Sequence, residues 1–198
     1  MRAVICALVA MVAVLAGCSR GAAPATAIAS PASSTSPASP AAAQTSPFLL
    51  KASIKELMDA QVDPSADVIW ESVYTRIAAA GREDHQPRTP EEWQAVRRSA
   101  LTLIEATNLL VMDGRRIAPA DAPREPGEPS TEVLQQRFDK NHAAFVGFAQ
   151  ALRAVALKTL DAVDAKDPQR VFDVGGEIDE ACEACHVVFW YPPDLAPR

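Results

Sequence analysis

Near its C-terminus the chain reads Cys182-Glu183-Ala184-Cys185-His186, two thiols three residues apart with an imidazole directly after the second. On a helix, residues three and four apart share a face, so both sulfurs and the ring project from one side of a turn. This C-x-x-C-H pattern is that of c-type haem attachment. Each thiol forms a thioether with a porphyrin vinyl group while the imidazole reaches the iron from the same side. Two other chemistries use paired cysteines. A redox disulfide belongs to a strand-to-helix setting, and the chain shows no alternating strand pattern. A zinc site takes about four ligands, and the remaining histidines are His85 and His142 alone.

Helical periodicity dominates the elements that must carry this motif. Leu50, Ile54, Leu57, Met58 and Val62 recur at helical spacing. After Asp63-Pro64 the period resumes through Ile69, Val73 and Ile77 until Gly81, which predicts one long first helix with a break. Thr89-Pro90-Glu91-Glu92 is a helix start, with Thr as cap and Glu three residues on. The stripe Trp93, Val96, Ala100, Leu103, Thr107 and Leu110 carries that second helix to Asp113-Gly114. Four prolines between Arg115 and Ser130 predict a surface loop, to which the sequence assigns no role. A third helix is expected from Ser130 or Thr131 to Ala165, with Leu134, Phe138, Phe145, Phe148, Leu152 and Val155 on its apolar side. A fourth runs from Asp167-Pro168 through Val171, Val174, Ile178, Cys182, Cys185 and Phe189 to Pro192-Pro193. Four amphipathic segments with mostly short connections predict an all-α, antiparallel up-down-up-down four-helix bundle, with the haem near the C-terminal helix.

Composition agrees with one helical domain. The chain has 198 residues, 48% of them apolar and only 8 of them glycine, which favours helices over a strand-rich sandwich. Arg2 and Arg20 are the only charged side chains before Phe48, so residues 48–198 carry 17 basic against 25 acidic groups. A domain of that sign argues against nucleic acid as a partner. Nothing in the sequence places a nucleophile-base pair or carboxylate dyad in a recognisable motif, so no catalytic residue is expected.

The N-terminus reads as an address. Arg2 opens a short positive region, and Ala3 to Gly17 is free of polar side chains apart from the Cys6 thiol. Those fifteen residues are too few to span a bilayer easily. Residues 1–17 are therefore expected to be a signal peptide. Leu15-Ala16-Gly17-Cys18 resembles the bacterial lipobox, which implies that Cys18 is lipidated and that the mature protein is held to a membrane. Ser19 in place of Asp implies the outer membrane over the inner. The alternative is an ordinary secreted protein with an incidental Cys18. Residues 18–47, rich in Ala, Pro, Ser and Thr, are expected to be a flexible tether to the domain at 48–198.

An exported chain with C-x-x-C-H on the last of four amphipathic helices resembles the cytochrome c′ superfamily, including its low-spin, Met-ligated members, over about 150 residues from Phe48. His186 is followed here by Val187-Val188-Phe189-Trp190-Tyr191, where that family commonly has a basic residue. Bundle topology brings Met58, Met112 and His142 to the level of the haem motif as candidates for the sixth iron position. The resemblance implies Met58, because Ile54-Lys55-Glu56-Leu57-Met58 matches the place of the family's ligand. His85 is expected in solvent, Met112 in the core, and Trp70, Trp93, Phe145 and Phe148 in bundle packing or against porphyrin edges. Lys51 and Lys55 are at the right end for haem propionates. The expected function is periplasmic electron transfer by one covalent haem c, with iron held by His186 and Met58. A redox protein with a basic docking patch is the expected partner, and the resemblance allows a homodimer. Two alternatives are a five-coordinate haem protein binding nitric oxide or carbon monoxide, and a haem-free envelope lipoprotein.

Overall fold

A capping box starts the first helix. Ser53 Oγ accepts the Glu56 N–H at 3.2 Å, and the Glu56 carboxylate accepts the Ser53 N–H at 2.8 Å, which satisfies two of the donors that a helix start leaves orphaned. In the computed structural model, which describes residues 47–124 and 128–191, α1 covers Ile54–Leu57 and passes into a π-helical turn, Met58–Val62, and then into α2, Asp63–Ser72. Leu57, Met58, Val62 and Asp63 all keep right-handed helical dihedrals. The break expected at Asp63-Pro64 is thus a widened turn inside a continuous helical run.

The first helix does not reach Ile77. Ser72 Oγ donates to the Ile69 carbonyl at 2.7 Å, a local bond that competes with helix propagation. Val73 is extended. An antiparallel hairpin follows, β1 Tyr74–Ala78 and β2 Gly81–His85, in register from Tyr74↔His85 to Ala78↔Gly81. Gly81 takes φ +125°, a conformation that side chains rarely adopt. The protein is therefore mostly helical but not all-α.

Three long helices complete the core: α3 Pro90–Leu110, α5 His142–Asp164 and α6 Pro168–Phe189. Thr89 and Glu92 form the expected capping box on α3, and the Asp167 carboxylate caps α6 by accepting the Arg170 N–H at 3.1 Å. The expected third helix is divided. Its first part, α4 Thr131–Lys140, ends where the Asn141 amide side chain donates to the Arg137 carbonyl at 2.8 Å, and the chain restarts at His142. Contacts link α2 to α3, α3 to α5, α5 to α6 and α6 back to α2. Ile54, Ile69, Leu103, Leu110 and Ile178 are almost wholly buried at the centre of this ring, each contributing about 1.5–3 kcal/mol by leaving water. By length and hydropathy α5 could cross a bilayer; its packing against both α3 and α6 accounts for the same apolarity.

Candidate functional site

The last turns of α6 carry the cysteines and the histidine. Val171, Val174 and Ile178 press the helix into the core, and the same stripe reaches Cys182, Cys185 and His186, all half-buried. The helix closes at the imidazole residue: the N–H groups of Trp190 and Tyr191 both donate to the His186 carbonyl, at 2.8 and 3.0 Å. Facing this turn is the α1 run. Its first N–H groups are held by the loop after α3, with Ile54 N donating to Arg116 O at 2.8 Å and Lys55 N to Ile117 O at 2.9 Å.

That loop is more than the expected surface excursion. Arg115, Ile117 and Ala118 are buried. The Arg115 guanidinium donates to the carbonyls of Leu109 and Ala52, and Ile117 N donates to the Gln135 side chain at 2.9 Å. Buried backbone polar groups need partners, and these bonds supply them. The loop fixes one wall of the site.

Between the two helices lies a recess of about 200 Å³, lined by Met58, Asp63, Ile117, Phe145, Cys185 and His186 among others. A narrower extension of about 20 Å³ reaches Cys182 and Phe148. Aromatic rings form its back: Phe145 and Phe189 meet edge to face at 5.4 Å, and Phe148 meets Phe189 at 6.1 Å. At the mouth, Lys55 Nζ sits 5.1 Å from the centre of the Trp190 ring. The Tyr191 hydroxyl donates to the Glu183 carboxylate, and its ring lies 5.9 Å from that of His186.

Desolvation sets the protonation of the sulfurs. Burial pushes the Cys182 thiol up to about 11, with the negative fields of Asp63 and Asp179 adding to it. Burial pushes Cys185 up to about 12. Both are free thiols and neutral near pH 7. Redox-active and metal-binding cysteines need the opposite, a lowered pKa and a ready thiolate. Asp63 is raised by desolvation against the recess, and attraction to His186 offsets part of the shift. Among the described residues, no three His, Cys, Asp or Glu side chains form a group able to hold a bare metal ion.

No family model, curated protein or solved structure matches this chain.

The geometry separates the expected site residues. Cys182, Cys185, His186 and Met58 come together, with Phe145, Phe148 and Lys55 around them. Met112 accepts from the Arg115 guanidinium at 3.5 Å. His142 packs edge-on against Phe138 at 5.2 Å, and His85 stacks on Tyr74 in the hairpin at 4.9 Å. None of these three lines the recess. Trp70 donates its indole N–H to the Gly175 carbonyl at 2.9 Å and Trp93 is buried, so both are packing residues. Lys51 is exposed and also lies outside the recess lining. Cys18, the signal segment and the tether as far as Ser46 lie outside the described residues. Sequence reasoning missed Asp63 and Ile117 as wall residues. Asp63 carried a signal only as half of a helix-breaking dipeptide, and Ile117 was hidden in a proline-rich stretch.

Proposed function

We propose that this protein is a lipid-anchored, periplasmic c-type cytochrome, an antiparallel four-helix bundle with one covalent haem c that transfers electrons. One observation carries the reading: two neutral thiols and an imidazole on one turn of α6 face an apolar recess whose opposite wall is Met58. The donor set suits the group. Cys182 and Cys185 would hold the porphyrin edge through thioethers, and His186 and Met58 would hold the iron, the thioether being a soft axial ligand that raises the potential. When bound, the haem supplies a one-electron couple that needs no change of ligand.

The chain's own residues then have defined tasks. Phe145, Phe148 and Phe189 exclude water from the recess, and His186 is held in place by the hydrogen-bonded close of α6. Its volume is below the roughly 300–1,000 Å³ of a typical small-molecule pocket. Lys55 and Trp190, at the mouth, would border the solvent-facing edge of a tetrapyrrole held there, the edge that outer-sphere transfer uses. The acidic domain, 17 basic against 25 acidic groups from Phe48 onward, favours a redox partner with a basic patch.

Absorption spectra of the matured protein test this reading. A six-coordinate low-spin haem with a thioether-to-ferric-iron charge-transfer band, lost in Met58→Ala, is expected. Rapid carbon monoxide binding without ligand displacement would replace electron transfer with gas binding. A chain exported without a covalent tetrapyrrole would leave a haem-free envelope protein.

A further inference from the structure

Met58 and Asp63 both line the recess, although they are five residues apart. At 3.6 residues per turn, such residues point about 140° apart on an α-helix and cannot share a face. The π-helical turn resolves this: the Asp63 N–H donates to the Met58 carbonyl, an i→i+5 bond that stacks the two positions.

The cause of the turn is the next residue. Pro64 has no N–H, and in α-helical register its ring would press on the carbonyl four residues back, that of Ala60. Taking up one extra residue just before the proline lets the helical run pass through it without a break. Both ends of the turn are anchored. Ser65, Ala66 and Ile69 are buried beyond it, and the carbonyls of Arg116 and Ile117 hold the first N–H groups of α1 before it.

We propose that Pro64 is a positioning residue, which acts through the π-helical turn to hold Met58 in the recess opposite His186. The inference rests on the reading above that Met58 is the sixth iron ligand. With an N–H at position 64, the α-helical register becomes available. The stretch between the two anchors then contains one residue too many, and Met58 rotates by about 100°, one residue's worth of helix, away from the recess. Deleting a residue from the turn at the same time removes that excess and restores the phase. Ala60 is exposed and suits the deletion.

The test uses the full chain matured with its haem, in three forms: wild type, Pro64→Ala, and Pro64→Ala with Ala60 deleted. The readouts are the thioether-to-iron charge-transfer band, the reduction potential and the helical circular dichroism. The expected result is loss of the band and a lower potential in Pro64→Ala, with covalent haem and helicity retained, and return of both towards wild type in the double variant. A band retained undiminished in Pro64→Ala overturns this inference alone. Failure of the double variant to restore the band, whether or not the single variant folds, also overturns it. A wild-type chain with no such band overturns the Met58 reading and this inference with it.

Discussion

Two of the concavities along α6 differ sharply, and the larger of the two is chemically the poorer. Its groove of about 660 Å³ runs beside Trp70, Tyr74, Phe172 and the Gly175-Gly176 pair. No thiol or imidazole lines it, and its indole N–H is already bonded to the Gly175 carbonyl. The smaller recess at the other end of the helix gathers two thiols, an imidazole and a thioether behind aromatic walls. Support differs in the same sense. Backbone bonds from the loop after α3 hold the recess, whereas the hairpin bordering the groove carries exposed ion pairs such as Arg82–Asp84 at 2.8 Å, which solvent screens. The proposed function rests on the convergence and fixation of reactive groups, for which volume alone is a poor guide.

The largest contrast should appear on truncation. Phe145, 2% exposed between Phe138 and Phe189, should cost about 3–5 kcal/mol as Phe145→Ala. Phe172, 54% exposed at the groove, should stay within about 0.5 kcal/mol as Phe172→Ala. Equal losses in denaturant titrations would erase the distinction between the two sides.

A smaller effect sharpens the comparison through pH. In the haem-free chain both thiols titrate above the ordinary value of 9.0, at about 11 and 12. The folded state therefore favours the neutral thiol. The resulting stability is fully present below about pH 9 and is lost as pH rises through 11 to 12. At pH 8 the thiolate fraction, and with it the alkylation rate, should be on the order of a hundredfold lower at Cys182 and a thousandfold lower at Cys185 in the native haem-free chain than in urea, where the thiols return to the ordinary value of 9.0. Equal rates would mean an open recess. The Cys182→Ala/Cys185→Ala double variant should lose the corresponding alkaline fall in stability.

The sequence makes some of this plain and hides the rest, for physical reasons. The α3 start was legible because Thr89, Pro90 and Glu92 act locally, and the C-x-x-C-H turn because one helical turn suffices to align it. The hairpin was not. Ile69, Val73 and Ile77 fit a helical stripe by spacing, yet Ile77 is 84% exposed and pairs across the ladder with Arg82. β-branched residues at four-residue intervals serve either period when the window is short. Met58 was legible as a candidate from helix order, but the placement of Met112 and His142 outside the recess goes with contacts that no spacing encodes, to Arg115 and Phe138. The burial of Ile117 depends on tertiary partners, Lys55 and Gln135, distant in sequence.

Whether Cys182 and Cys185 hold a tetrapyrrole can be read from the intact mass of the chain produced in a host that matures c-type cytochromes. One covalently added haem is expected in the wild type and none in Cys182→Ala/Cys185→Ala. A wild-type mass equal to that of the bare processed polypeptide, apart from any lipid, would contradict that expectation.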